Sequence, residues 1–272
     1  MQMERLECVA STMDTARERL REGRVTFYPT GKSRWGGVVA REQTAGRGQR
    51  GRIWYATPGE SLNATYYFRR GLTDPAHAGQ IAFLAGVAVI ESLQELILSV
   101  SWPVRDENQS VPRAYHRGRL GLKWPNDILL NGKKLGGILV EMVQASDGQW
   151  TALIGVGINL TVQEFPAELN PIATSLLREG VDAPTWEELA DSLLYSLHAQ
   201  ADKRRDCGFR CILERWRDFD NTPGRLFETV IDGETRQGTA IGVDNTGALL
   251  LRWNDGRIEP VLSATSLRDL TV

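Results

Sequence analysis

Residues 37–59, GVVAREQTAGRGQRGRIWYATPG, decide which fold this chain of 272 residues can adopt. The run GRGQRG at 46–51 fits the letter pattern of a dinucleotide-binding glycine loop. Such a loop closes a strand and opens a helix, so that the pyrophosphate lies at the helix N-terminus. Here the apolar residues 37–40 precede the loop, but Pro58 and Gly59 follow too early for a helix. The stretch therefore argues against a doubly wound, nicotinamide-binding fold.

In place of a helix, the stretch supplies the guanidinium groups of Arg47, Arg50 and Arg52. These planar groups bind phosphate or carboxylate through paired hydrogen bonds, and the intervening glycines let the backbone approach a ligand. Residues 46–52, called the arginine loop below, carry no apolar side chain. Because ordering each residue costs about 1–2 kcal/mol, we expect the loop to be mobile until an anion orders it. A solvated basic turn is the alternative interpretation.

The composition predicts a globular protein with a sizeable core. Apolar residues make up 42% of the chain and the formal net charge is −2, which favours neither a nucleic-acid nor an anionic-membrane partner. No secretory segment follows Met1, and no apolar run approaches the length of about 20 residues that spans a bilayer. We therefore expect a soluble, cytoplasmic protein in which Cys8, Cys207 and Cys211 are passive thiols.

Hydrophobic periodicity and turn residues predict an α+β fold for the first part of the chain. Helices are expected from about residue 12, over residues 80–98, and from Thr185 to about Phe219 with Gly208 as a candidate break. Strands are expected over residues 38–43, 63–68, 120–130, 134–143 and 150–160, around turns at 125–127, 131–132 and 147–148. The polar residues 101–119, with two prolines, are predicted to form a surface insertion.

The sequence changes character after Pro223-Gly224. Short alternating strands follow, separated by turn residues at 232–233, 245–247 and 255–256. This pattern predicts a small β-barrel or sandwich of about 50 residues. We therefore predict two domains, residues 1–221 and residues 222–272.

Three further segments carry groups suited to nucleotide chemistry. In GLKWPNDI, residues 121–128, Lys123 ends a strand, and Asn126 and Asp127 follow in a turn. An ammonium, an amide and a carboxylate in this order can hold a nucleotide phosphate and Mg²⁺. A β-turn beside a core tryptophan is the alternative interpretation.

In KKLGGILVE, residues 133–141, Lys134 precedes two glycines that leave space for a ligand, although it could also be a surface lysine. In IGVGINL, residues 154–160, Asn159 is either a ligand-binding amide or a turn cap. His77, His116 and His198 have no nearby Ser or Cys nucleophile motif. These segments favour positioning and electrostatic stabilisation of an anionic reaction, as in phosphoryl or nucleotidyl transfer.

Taken together and in this order, the segments resemble the biotin protein ligases, which form biotinyl-5′-AMP from biotin and ATP and pass biotin to a lysine of a carrier domain. The resemblance covers most of the chain and rests on five motifs: ST at 11–12, QTAGRGQRGR at 43–52 with Trp54, KWPND at 123–127, KLGGILVE at 134–141 and GVGIN at 155–159. It implies a class II synthetase-like catalytic domain, with a mixed sheet flanked by helices, and a C-terminal SH3-like β-barrel.

The resemblance also implies roles for individual residues. The catalytic residues would be Lys134, Arg47 and Lys123, with Asp127 as a ligand of Mg²⁺. Biotin would be bound by Ser11, Thr12, Gln43, Gly46, Arg47, Gly48, Trp54, Lys134, Gly136 and Gly137. ATP would be bound by Arg50, Arg52, Lys123, Asn126, Asp127, Asn159 and Arg268.

The implied partner is the biotin carboxyl carrier domain of acetyl-CoA carboxylase or a related carboxylase, with a homodimer as a further family expectation. Only about ten residues precede the first predicted helix, too few for the winged helix-turn-helix of the DNA-binding members, so no DNA partner is expected. Met13 and Gln49 depart from the family pattern, since many members have Asn and Arg there. The Arg-Arg-x-x-Gly-Gly-Gly signature of lipoate ligases does not occur, and Lys134 and Asp127, which a non-catalytic vitamin-binding module would lose, are both present.

Overall fold

Two β-sheets organise the chain in a computed structural model, which describes residues 3–25, 27–30, 33–69, 75–100, 119–231, 234–261 and 267–271. Most of the predicted insertion at 101–119, and the predicted turn at 232–233, lie outside the described residues. The first sheet is formed by residues before 160 and the second by residues from 226 onward. The boundary at 221/222 between two domains stays a prediction.

The first sheet is mixed, as predicted. Its strands run in the order β1-β3-β4-β8-β7-β6-β5, with β2 pairing with β3. The β1–β3 pair is parallel and the other pairs are antiparallel. The strands are β1 (Glu4–Val9), β2 (Tyr28–Thr30), β3 (Ser33–Gln43), β4 (Ser61–Arg69), β5 (Leu120–Lys123), β6 (Asp127–Leu130), β7 (Lys133–Gln144) and β8 (Trp150–Asn159).

Helices cover both faces of this sheet. They are α1 (Thr12–Arg21), α2 (Ala78–Val100), α3 (Trp186–Cys207) and α4 (Phe209–Arg217). Helix α1 packs on one face through Met13, Ala16 and Leu20, whereas α2, α3 and α4 share the larger core on the other face. A capping box formed by Thr185 and Glu188 starts α3. The predicted break at Gly208 is confirmed, because this residue has a φ of 79° between α3 and α4.

Helix α2 corrects one expectation from the sequence. Residues 75–97 are long and apolar enough to cross a membrane, so the statement that no apolar run approaches that length was wrong. In the structure, 61% of the most apolar 18-residue stretch of this segment is buried inside the protein. The helix is hydrophobic because it packs against the sheet on one side and against α3 and α4 on the others.

The predicted strand 120–130 is two strands. β5 and β6 form an antiparallel hairpin around residues 124–126, because the turn predicted at 125–127 interrupts the apolar run. The register pairs Lys123 directly with Asp127. The hairpin therefore places an ammonium and a carboxylate side by side at the edge of the sheet.

The second sheet is antiparallel, with strand order β12-β11-β10-β9-β13. The described strands form an open path, without a β12–β13 pair that would close the predicted barrel. The indole N–H of Trp124 donates to Gly247 O at 3.0 Å and thus ties the second sheet to the first. The strands are β9 (Leu226–Ile231), β10 (Glu234–Val243), β11 (Leu249–Trp253), β12 (Ile258–Val261) and β13 (Arg268–Asp269).

Two of the three cysteines are not passive thiols in this structure. Cys207 and Cys211, whose Cα atoms lie 6.1 Å apart across the α3–α4 junction, form a disulfide, and Cys8 is free and exposed. The expectation of three passive thiols was wrong for this pair, whose residues are four positions apart in the sequence. The cytoplasmic location stays a prediction.

Candidate active site

One cavity of about 750 Å³ lies between the first sheet, the arginine loop and the C-terminal sheet. Most of the side chains singled out from the sequence line it. From the set expected to bind biotin these are Ser11, Thr12, Gln43, Arg47, Gly48, Trp54, Lys134 and Gly137. From the set expected to bind ATP these are Arg50, Arg52, Lys123, Asn126, Asp127, Asn159 and Arg268.

Gly46 and Gly136 are the two predicted residues that do not line the cavity. A β-carbon at Gly46 would lie 2.9 Å from the carbonyl oxygen of Trp54. One at Gly136 would overlap the carbonyl oxygen of Gly157 in the neighbouring strand β8. Both glycines permit close backbone packing behind the cavity wall, whereas a β-carbon at Gly137 would sit 3.6 Å from Lys134 Nζ, on the cavity side. Any effect of Gly46 and Gly136 on a ligand is therefore indirect.

A hydrogen-bond network forms one end of the cavity. The backbone N–H and the hydroxyl of Thr12 donate to Gln43 Oε1 at 2.8 and 3.0 Å. Gln43 Nε2 donates to Asn63 Oδ1 at 3.1 Å, and Trp54 Nε1 donates to the same oxygen at 3.2 Å. The side chain of Asn63 is buried and was not identified from the sequence, where it is one polar residue in a strand without a recognisable motif.

Two groups that can only donate fix the orientation of this network. The backbone N–H of Thr12 requires an oxygen at Gln43, and the indole N–H of Trp54 requires an oxygen at Asn63. Gln43 Oε1 therefore already accepts two hydrogen bonds, while one amide hydrogen of Gln43 lies outside the network. The buried Ser11 makes no side-chain cap bond and also lines the cavity. This end of the cavity is thus suited to a ligand group rich in acceptor oxygen.

A charged group formed by Lys134, Asp127 and Lys123 occupies the other end. Lys134 Nζ lies 2.5 Å from Asp127 Oδ1, and Lys123 Nζ lies 2.9 Å from Asp127 Oδ2. Burial would raise the pKa of Asp127, but the two ammonium groups outweigh it and hold the pKa below its ordinary value. Asp127 is therefore ionised near neutral pH, and its charge is balanced by two cations.

These contacts bear on the predicted Mg²⁺ ligand. Both carboxylate oxygens of Asp127 already face ammonium groups. Among the described residues, no group of three His, Cys, Asp or Glu side chains could hold a metal ion. The donor set around Asp127 therefore does not fit a preformed Mg²⁺ site.

The arginine loop is folded as a tight turn over the cavity. Gly48 N donates to Arg52 O at 2.8 Å, and Arg50 adopts a left-handed conformation with a φ of 60°. Arg47 forms an ion pair with Asp14 of α1, and Arg50 Nη1 donates to Leu267 O at 3.1 Å. Burial, and then the neighbouring charge of Arg52, lower the pKa of Arg50. The loop thus brings cations towards the cavity, and its mobility without an anion stays a prediction.

The two asparagines expected at the nucleotide end differ in what they offer. Asn159 Nδ2 donates to Thr174 O at 3.0 Å, while its buried Oδ1 has no partner among the described residues. Asn126 Nδ2 donates to Ile138 O at 2.5 Å and so ties the β5–β6 turn to strand β7. Asn159 can therefore accept a hydrogen bond from a ligand, whereas the amide of Asn126 is engaged with the backbone.

Residues 165–173 supply an apolar wall that no motif or periodicity in the sequence predicts. Phe165, Leu169 and Ile172 line the cavity, and the ring centroids of Phe165 and Tyr55 lie 6.2 Å apart across it. The wall is held on β7, because Lys134 N donates to Ile172 O at 2.8 Å. The segment has neither helical nor strand periodicity, so its position depends on tertiary contacts.

Comparisons with known proteins agree with this architecture. Residues 7–159 match the biotin/lipoate A/B protein ligase family, and residues 229–265 match the biotin protein ligase C terminal domain. The chain is 36% identical over 217 residues to a biotin–[acetyl-CoA-carboxylase] ligase of Mycobacterium tuberculosis, covering 79% of this chain and 72% of that protein.

A bifunctional ligase/repressor of Bacillus subtilis is 31% identical over 229 residues, which cover 84% of this chain. The matched part spans only 64% of the length of that relative. The solved structure of a biotin protein ligase from Aquifex aeolicus in complex with biotin and ATP has a TM-score of 0.70 and 24% identity, covering 99% of this chain and 98% of that one. At this identity the likeness shows the fold alone.

Proposed function

The chain belongs to the biotin/lipoate A/B protein ligase family, and from that premise we propose that it activates biotin with ATP and transfers biotin to a lysine of a carrier protein. One observation carries the proposal. A single cavity joins an uncharged end rich in hydrogen-bond donors, at Ser11 and Gln43, to a cationic end at Lys134 and Lys123. A neutral ring system with a carbonyl oxygen fits the first end, and a nucleotide triphosphate fits the second.

In the first step, a carboxylate oxygen of biotin attacks the α-phosphorus of ATP. The bond between this phosphorus and the oxygen bridging to the β-phosphate breaks, and pyrophosphate leaves with the electron pair. Carboxylate and triphosphate repel each other, so cations at the point of attack lower the barrier. We assign this task to Lys134, whose side chain is 39% exposed at the cationic end of the cavity, and to Arg47.

In the second step, the ε-amine of the acceptor lysine attacks the acyl carbon of biotinyl-5′-AMP. An amide bond forms, the bond from the acyl carbon to the phosphate oxygen breaks, and AMP leaves while the amine loses a proton. Because a mixed anhydride hydrolyses in water, the intermediate must be covered until the carrier arrives. In this proposal the arginine loop and the wall at residues 165–173, which both line the cavity, cover the intermediate, and Arg50 and Arg52 bind its phosphate.

Pyrophosphate exchange into ATP tests the first step directly. With the full chain and Mg²⁺ in the buffer, exchange is expected with biotin and not with lipoate or without an acid. The reason is that only biotin offers a ring carbonyl to the donors at Ser11 and Gln43. Exchange with lipoate but not with biotin would indicate that the protein is a lipoate ligase of the same family. No exchange with either acid, in folded protein, would contradict the proposal.

Asn63 provides a second test, because it accepts hydrogen bonds from both Gln43 and Trp54. Asn63→Leu leaves two half-buried donors unsatisfied, at a cost of up to about 1–3 kcal/mol each. We expect the dissociation constant for biotin to rise about 10- to 100-fold, measured by isothermal titration without ATP. Ser61→Ala is the matched control, since Ser61 lies on the same face of β4 and its buried hydroxyl has no partner among the described residues. An equal loss of biotin affinity in both variants would mean that strand β4, rather than the hydrogen-bond network, had been disturbed.

Further properties accompany the proposal. The carrier would be the biotin carboxyl carrier domain of acetyl-CoA carboxylase or a related carboxylase. Arg268, on β13, lines the cavity and is proposed to lie near the adenine. A requirement for Mg²⁺, a homodimeric state, a cytoplasmic location and the absence of DNA and membrane partners stay predictions. Any Mg²⁺ would take most of its ligands from substrate phosphates and water, because Asp127 is engaged by lysines.

A further inference from the structure

Residues 267–269 of the C-terminal sheet contact the nucleotide end of the cavity at two points. The carbonyl oxygen of Leu267 accepts from Arg50 of the arginine loop. Asp269 Oδ2 lies 3.2 Å from Lys123 Nζ and 3.2 Å from Arg225 Nη1. Asp269 Oδ1 accepts from the backbone N–H of Thr271 at 2.9 Å, which fixes the orientation of the carboxylate.

These contacts extend the charged group into the C-terminal sheet. The side chains now alternate in sign along one row: Lys134, Asp127, Lys123, Asp269 and Arg225. Lys123, Asp269 and Arg225 are 16%, 11% and 15% exposed, and all members of the row line the cavity. Ion pairs this buried are screened only weakly by solvent, so loss of a carboxylate from the row leaves the cations on either side of it to repel each other.

Lys123 has three N–H donors. Asp127 and Asp269 take two of them, one from each sheet, and the third is left for a ligand in the cavity. Lysine is otherwise a flexible point charge on a four-carbon stem. Two carboxylates on either side therefore fix where its ammonium meets a phosphate.

We propose that Asp269 is a positioning residue for nucleotide activation, which acts by holding Lys123 against the triphosphate. The inference rests on the proposed function, but it concerns a residue outside the five sequence motifs. In this role Asp269 acts through Lys123 and not by contact with the substrate. It ties the C-terminal sheet to the reaction through one oxygen atom, shared by Lys123 and Arg225.

Asp269→Asn tests the proposal in the full-length protein. The amide oxygen of the variant can still accept from the backbone N–H of Thr271. Its neutral NH₂ group, however, faces Lys123 and Arg225, which no longer have a carboxylate between them. We expect the KM for ATP to rise about tenfold, in keeping with the loss of one charge-assisted hydrogen bond, while the dissociation constant for biotin changes less than about twofold. Pyrophosphate exchange at varied ATP gives the first quantity, and calorimetry without nucleotide gives the second.

A second variant separates positioning from folding. In Asp269→Asn with Arg225→Met, the repulsion between Arg225 and Lys123 is removed, and we expect the KM for ATP to return at least halfway to that of the wild type. Arg225→Met alone keeps the contact between Lys123 and Asp269, so its KM for ATP should stay near normal. Asp255→Asn, which breaks an exposed pair with Arg257 at 2.7 Å elsewhere in the C-terminal sheet, should change neither constant.

An unchanged KM for ATP in Asp269→Asn would overturn the proposal, as would equal losses of ATP use and biotin affinity. If the wild type shows no pyrophosphate exchange with either biotin or lipoate, the proposed function fails, but the role of Asp269 can still be tested. In that case, the dissociation constant of a non-hydrolysable ATP analogue is measured in place of the KM for ATP. The same variants are used, and the constant is again expected to rise about tenfold in Asp269→Asn. Equal affinity of wild type and Asp269→Asn for the analogue would then contradict the inference.

Discussion

Lys134→Ala is expected to slow formation of biotinyl-5′-AMP by about 10²- to 10³-fold, the usual cost of removing one preorganised group that stabilises charge in a transition state. In the proposed mechanism Lys134 contacts the carboxylate and the α-phosphate, and in the structure its ammonium lies 2.5 Å from Asp127 Oδ1. The alanine variant loses the cation and leaves Asp127 paired with Lys123 alone. Rapid-quench measurement of a single turnover, with biotin and ATP both saturating, reports the chemical step without the binding steps.

Two neighbouring substitutions make this result specific. Lys133→Ala removes the exposed adjacent lysine and should leave the rate within about twofold of the wild type. Lys134→Arg keeps the charge but changes its shape and reach, and should recover part of the rate. Formation of the adenylate at a near-normal rate in Lys134→Ala would remove this residue from the mechanism.

Gly136→Ala is expected to have the largest effect on stability. Its β-carbon would overlap the carbonyl oxygen of Gly157 and the side chain of Ile158, so β7 and β8 must separate at the centre of the sheet. Overpacking of this kind costs about 1–3 kcal/mol. For a protein of this size we expect the thermal midpoint to fall by about 4–10 °C in scanning calorimetry.

Gly137→Ala is the matched comparison, one residue further along the same strand. Its β-carbon would have 3.6 Å of room to Lys134 Nζ and would face the cavity. The thermal midpoint should stay within about 2 °C of the wild type, whereas biotin affinity should fall because the cavity is narrower. If Gly136→Ala melted like the wild type, the close approach of β7 and β8 would not be needed for stability.

The sequence predicted the parts of the site that have local signals. Glycines beside arginines or lysines mark places where a strand ends and a ligand has room, and this was enough to bring Arg47, Lys123 and Lys134 together. Hydrophobic periodicity predicted the individual helices and strands, whereas the mixed sheet flanked by helices was implied by the resemblance to the biotin protein ligases. The break at Gly208 followed from the low helix propensity of glycine.

Residues whose role depends on distant contacts were missed. Asn63 is one polar residue in a buried strand, and only the fold shows that Gln43 and Trp54 share its oxygen. Asp269 lies 146 positions from Lys123 along the chain, and no spacing rule connects them. Residues 165–173 have no periodicity, and their place is set by backbone hydrogen bonds to Lys134.

The wrong predictions have physical reasons too. Helix α2 reaches the length and hydropathy of a membrane span because it is surrounded by protein on most sides. Residues 120–130 were treated as one strand because apolar residues flank the turn on both sides. The C-terminal barrel was expected to close, but β13 has only two residues and pairs with β9 alone among the described strands.

The shared oxygen of Asp269 has a consequence for how such proteins can be recombined. Lys123 and Asp269 lie on different sheets but balance one another, so a C-terminal segment without Asp269 would leave Lys123 paired with Asp127 alone. We expect a chimera that joins residues 1–221 to the C-terminal segment of a relative to fold. It should use ATP poorly unless that relative has a carboxylate at the position of Asp269. The two predicted domains are thus coupled by charge.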